Sequence, residues 1–127
     1  MRKLWLGLFV AVAAVLSCNS PMGSSLCGNG NFFLIKAADN KTFTPQHANV
    51  AQGQSICFEN TGSILHSIVP DSFMVGDSTW RRTGEQGLAP TFPVIINVGV
   101  GDYYYHCGIH GFVGDTTAGM WGKITVR

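Results

Sequence analysis

From residue 32 onward the sequence breaks into short apolar runs separated by turn residues, and this pattern limits the fold more than any other feature. The runs span residues 32–38, 48–50, 54–59, 66–69, 92–98, 102–107 and 121–126. Each has the length of a strand, and no convincing amphipathic helix interrupts them. The expected fold class is therefore all-β, a sandwich or barrel of about seven to eight strands in one domain covering 32–127. Side-chain alternation places Ile56 and Phe58 on one face of their strand, and Ile124 and Val126 on one face of the last strand. Those faces line the expected core. Residues 70–90 break the pattern with Asp71, Gly76, Asp77, Arg81, Arg82, Gly84 and Gly87. They read as a long connection over one sheet edge, with a short helix or none, shaped in part by Trp80, Arg81 and Arg82.

The beginning of the chain reads differently. Arg2 and Lys3 precede an apolar run over 4–16 that is too short to span a bilayer and is followed by small and polar residues. This is the pattern of a secretory signal peptide, assigned to 1–17. Cleavage before Cys18 fits either of two routes. Val15 and Ser17 suit an ordinary signal peptidase, whereas Val15, Leu16, Ser17 and Cys18 together loosely match a bacterial lipobox, which would put a lipid on Cys18 and anchor the protein to the membrane. Residues 18–31, rich in Gly, Ser and Asn, form the expected flexible spacer. The expected location is the bacterial periplasm, soluble or membrane-anchored facing it. Without the leader, six Lys and Arg stand against seven Asp and Glu, a formal net charge of −1. With no basic run, nucleic acid is not an expected partner.

The chemistry concentrates late in the chain. In Tyr103, Tyr104, Tyr105, His106, Cys107, Gly108, Ile109 and His110, a strand ends in a cysteine with a histidine three residues on. A loop turning back over two residues, one of them glycine, aims both side chains at one metal, and copper favours a soft thiolate beside imidazoles. Strand parity puts His106 on the face opposite Tyr103, Tyr105 and Cys107, so it reads as a partly exposed strand histidine and not as a ligand. A third donor comes from a separate part of the chain, His66, delivered by a turn between two strands.

One distant histidine plus a late Cys-x2-His resembles the cupredoxin family, which includes plastocyanin, azurin and related bacterial blue-copper proteins. The resemblance extends over Phe43, Thr44 and Pro45, over 50–53, 56–60, 66–69 and 101–110, and over the closing segment 119–126. It implies a Greek-key arrangement and one copper ion cycling between Cu(I) and Cu(II). His66, Cys107 and His110 are the implied ligands, and Met120 is the implied weak axial thioether. The family's residue after the first histidine often bonds across to the cysteine loop, a role that falls here on Ser67. One departure is the nine residues between His110 and Met120, where the family's loop is usually much shorter. In favour of Met120, its parity matches Ile124 and Val126. His47 has no matching ligand position and reads as a solvated surface histidine.

If Cys107 holds copper and Cys18 is lipidated or lost near the cleavage site, Cys27 and Cys57 remain, either as a disulfide or as two free thiols. The function implied is an electron carrier and not an enzyme. Its partners are exported redox proteins, met transiently through a patch of Ile109, Phe112 and Val113 around His110. The alternatives are a copper-binding or delivery module, or a red-copper protein without a shuttle role.

Overall fold

The residues expected to face inward do so in this structure, a computed structural model that describes residues 27, 28, 30–71, 85–90 and 93–127. The leader 1–17, Cys18, most of the spacer, and Trp80, Arg81 and Arg82 lie outside the described residues. Nine strands follow in order: β1 (Phe32–Ala38), β2 (Thr42–Thr44), β3 (His47–Val50), β4 (Ser55–Asn60), β5 (His66–Pro70), β6 (Gln86–Leu88), β7 (Val94–Ile96), β8 (Gly101–His106) and β9 (Trp121–Val126). They form one sheet ordered β2-β1-β4-β7 and a second ordered β3-β9-β8-β5-β6, and there is no helix among the described residues.

The expected sandwich is present, with two strands that the sequence pattern did not reveal. β2 is three residues long, and β6 is Gln86, Gly87 and Leu88, which has no apolar alternation. Both exist because a neighbour offers a free edge: β2 pairs antiparallel with β1, and β6 with β5 through His66↔Leu88 and Ser67↔Gly87. The long connection after β5 therefore ends in a strand beside it. Within the expected run 92–98, β7 holds three residues, and Cys107 falls just past the end of β8.

Ile56, Phe58, Ile124 and Val126 are all buried, as alternation requires. β4 lies between β1 and β7, and its other face is covered as well, so Cys57 and Glu59 are also buried. Beside the core's aliphatics, the ring of Tyr105 meets Phe43 at 4.8 Å and Phe58 at 5.2 Å between centroids, both edge-on. Burying a side chain such as Phe58 stabilises by about 1.5–3 kcal/mol relative to exposure, and edge-to-face ring pairs add to that. Gly122 pairs with Tyr105 across β8 and β9, and a Cβ there would run into the tyrosine ring and hydroxyl. Only glycine lets that ring lie over the neighbouring strand.

The register that matters for the site joins β5 and β8, antiparallel, through Val69↔His106 and Pro70↔Tyr105. Continued past the end of β8, it carries residues 107 and 108 alongside 68 and 67. Two distant stretches of sequence therefore arrive at one end of the five-stranded sheet.

Candidate metal centre

His66 opens β5, and the turn before it is tied down on both sides. The Asn60 side chain donates to the carbonyls of Ile64 (2.6 Å) and Leu88 (3.1 Å) and accepts from the Gly62 amide (2.9 Å). From the β1–β2 turn, the Asp39 carboxylate accepts the amides of Ser63 (2.7 Å) and Ile64 (3.0 Å) and the Ser63 hydroxyl (3.1 Å). These bonds, led by the Ile64 and Ser63 amides, hold the Asp39 carboxyl below its ordinary range. The result is a buried imidazole carried on a braced turn.

The second segment is a tight turn. The amides of His110 and Gly111 both donate to the Cys107 carbonyl, at 3.2 and 2.7 Å. The loop that follows returns to its own start: the Met120 amide donates to the His110 carbonyl (3.0 Å), and the Cys107 amide donates to the Met120 carbonyl (2.9 Å). The nine intervening residues therefore do not carry Met120 away from the site. Its side chain is buried within the core.

The two segments bring three donors together. The Cys107 sulfur lies 3.8 Å from Nδ1 of His66 and 3.5 Å from Nδ1 of His110, and all three donor atoms are within 4.8 Å of one another. Among the described residues this is the one group of its kind, and no carboxylate belongs to it. Cys107 and His66 are buried, while His110 is half-buried. Ser67 bonds to the cysteine segment twice: its amide donates to the Cys107 sulfur (3.4 Å), and its hydroxyl accepts from the Gly108 amide (2.9 Å). Burial, with the neighbouring His110 second, pushes the His66 imidazolium below its ordinary value of 6.5, against the opposing pull of the Ala38 backbone and Asp39. A neutral ring, its nitrogen lone pair free for a metal, is thereby favoured near neutral pH. One soft sulfur flanked by two imidazoles suits a single thiophilic ion.

Cys27 and Cys57 are joined by a disulfide, so of the two alternatives the bridged one holds, and Cys107 is the free cysteine among the described residues. His47 is exposed, with its ring 5.4 Å from that of Trp121. His106 corrects the sequence reading. It does face away from Cys107, but it is buried and not partly exposed, with Nδ1 2.8 Å from the Asp71 carboxylate. Parity gives the face of a strand and says nothing about what covers that face. Asn60, Asp39 and Asp71 escaped the sequence reading as site residues. Asp71 carried one usable signal, a parity that places it on the same sheet face as Val69 and His106.

No model of a known protein family matches this sequence, and no curated protein matches it. Solved structures do. A mutant plastocyanin of a fern superimposes with a TM-score of 0.61 at 21% identity, over 74% of this chain and 99% of its own. A reduced mutant of amicyanin gives 0.61 at 16%, over 84% and 95%. A purple cupredoxin from Nitrosopumilus maritimus gives 0.56 at 15%, over 75% and 99%. The chain has the cupredoxin fold.

Proposed function

We propose that this cupredoxin-fold chain is an exported mononuclear type 1 (blue) copper protein that carries single electrons between redox partners; His66, Cys107 and His110 would hold the ion, and Met120 would be a weak fourth donor. The observation that carries the reading is the buried cysteine sulfur with two imidazole nitrogens within 4.8 Å and no carboxylate in the group. Such donors fit copper, which supplies one-electron chemistry by cycling between Cu(I) and Cu(II).

The protein's own part is to keep the donors where they are in both oxidation states. Asn60 and Asp39 brace the turn that carries His66. Ser67 ties that strand to the cysteine turn, and its amide offers the thiolate a hydrogen bond that draws charge from the sulfur. The Met120 backbone closes the loop against Cys107 and His110. Donors held in this way would need little rearrangement when a bound ion changed its charge, which would keep the barrier low. His110 is the outlet. It is half-buried, and exposed Ile109, Phe112 and Val113 stand in its loop, with exposed Leu65 preceding the other histidine. A small apolar patch of this kind suits brief contact with another exported redox protein. The Cys27–Cys57 bridge supports export to an oxidising compartment.

Copper addition tests the reading. The wild-type protein should take up one Cu(II) and develop an intense visible thiolate-to-copper band, and Cys107→Ser should lose the band completely. A colourless wild-type protein, or an intensely coloured Cys107→Ser, would sink the proposal.

A further inference from the structure

On the outer face of β8, directly behind the cysteine segment, a second constellation plays no part in the donor set. His106 Nδ1 and Asp71 Oδ1 are 2.8 Å apart, and the two side chains are only 5% and 3% exposed. Asp71 extends β5 by donating its own amide to the Tyr104 carbonyl (2.9 Å). The same carboxylate oxygen accepts the Gly114 amide, at 3.4 Å, from the middle of the loop between His110 and Met120. That loop also passes tightly over the histidine: a Cβ on Gly111 would collide with the Met120 carbonyl and crowd the Cβ of His106.

We propose that His106 and Asp71 are positioning residues, a buried clamp that holds the loop 111–119 on the outer face of β8 and thereby sets His110 and Met120 at the metal site. The metal half of this statement rests on the function proposed above; the clamp itself does not. A buried carboxylate–histidine pair is a poor device for stability alone, because the cost of desolvating it offsets much of the attraction and an apolar pair would cover the strand as well. An apolar pair could not hold a backbone amide, and this one does. Further along, the Asp115 side chain accepts the Thr117 amide (2.7 Å), the Thr117 hydroxyl (2.6 Å) and the Ala118 amide (3.2 Å), knitting the exposed part of the loop to itself and leaving Asp71 to tie it to the sheet. The extra length of the loop is thus used to reach over the sheet and return, and the clamp sits near the middle of that path.

Amide exchange by Asp71→Ala and Asp71→Asn, metal-free and copper-loaded, tests the clamp. Asp71→Ala should speed exchange across 111–119 in the metal-free protein by at least about tenfold, the scale of losing hydrogen bonds to a charged group. Amides of β1 and β4 should keep their rates, and Asp71→Asn, which retains a neutral acceptor, should show a smaller increase and serves alone if the alanine variant does not fold. In the copper-loaded variant the paramagnetic-resonance signature, which reads the axial donor, should shift. Wild-type loop exchange, or acceleration shared equally by β1 and β4, would overturn the clamp. A loosened loop with an unchanged copper spectrum would overturn the positioning role. Because exchange is read without metal, a failure of the copper reading, visible as a colourless wild-type protein, remains distinct from a failure of the clamp.

Discussion

His66 and His110 offer the same chemical group to the same sulfur from opposite structural circumstances. His66 begins a strand, is buried, and follows a turn pinned by Asn60 and Asp39. His110 sits in a turn of the cysteine loop, half-buried, beside exposed Ile109 and Phe112. One imidazole belongs to the framework and the other to the surface. The contrast teaches that a cluster of donors can be braced and still reach solvent, provided the two properties are assigned to different histidines.

The largest effect that could break this contrast comes from opening each position in turn. His66→Gly and His110→Gly should each lose the wild-type copper spectrum, and added imidazole should restore it readily in the His110 variant only, because only that position is open to solvent. Equal rescue of both, followed by visible titration, would erase the distinction between framework and surface ligand.

Next comes the brace. Asn60→Ala leaves the Ile64 and Leu88 carbonyls and the Gly62 amide without this partner, which should cost about 2–3 kcal/mol in urea denaturation. A loss below about 0.5 kcal/mol, the range of ordinary surface changes, would mean that the turn before His66 is held by other means.

Met120→Leu sharpens the comparison on the loop side. A near volume-conserving swap should cost under about 1.5 kcal/mol, and on the proposed axial role of Met120 the loss of its thioether should raise the reduction potential and leave the blue colour. An unchanged potential by voltammetry would leave Met120 as a core residue alone.

The smallest effect is a pH dependence in the metal-free protein. His66 protonates less readily when folded than its ordinary value of 6.5, burial being the first cause. Above that value both folded and unfolded states are neutral and the group contributes nothing. As pH falls through it, the unfolded chain takes up the proton first, so folded stability drops until the lower folded value is passed. Denaturation between about pH 7.5 and about pH 5.5 should register this loss, and His66→Gln should flatten it. Asp39, Asp102 and Asp115, all held low, act in a separate window below the carboxylate value of 3.8.

Much of this architecture was legible in the chain because it depends on local periods. Apolar runs between turn residues located β1 and β9, and alternation sorted Ile56 and Phe58 from Cys57 and put Cys107 and His106 on opposite faces. It could not find β6, since Gln86, Gly87 and Leu88 have no pattern of their own and pair only because β5 presents an edge. It also misjudged His106, whose burial depends on a loop and an aspartate distant in sequence.

By itself, then, the sequence determined the sandwich class and the inward faces, because residue type and a two-residue period act over neighbours, and its resemblance to the cupredoxins pointed to the three clustered donors. The tertiary structure decided what covers each face and what braces each donor: Asn60 and Asp39 around His66, Ser67 across to Gly108, and Asp71 against His106. Those contacts span from a few to more than forty positions along the chain. The long-range ones come into being only when strand pairing brings the segments within hydrogen-bond distance, β1 with β4 and β5 with β6 around His66, and β5 with β8 for Ser67 and Asp71, and no local pattern encodes a register.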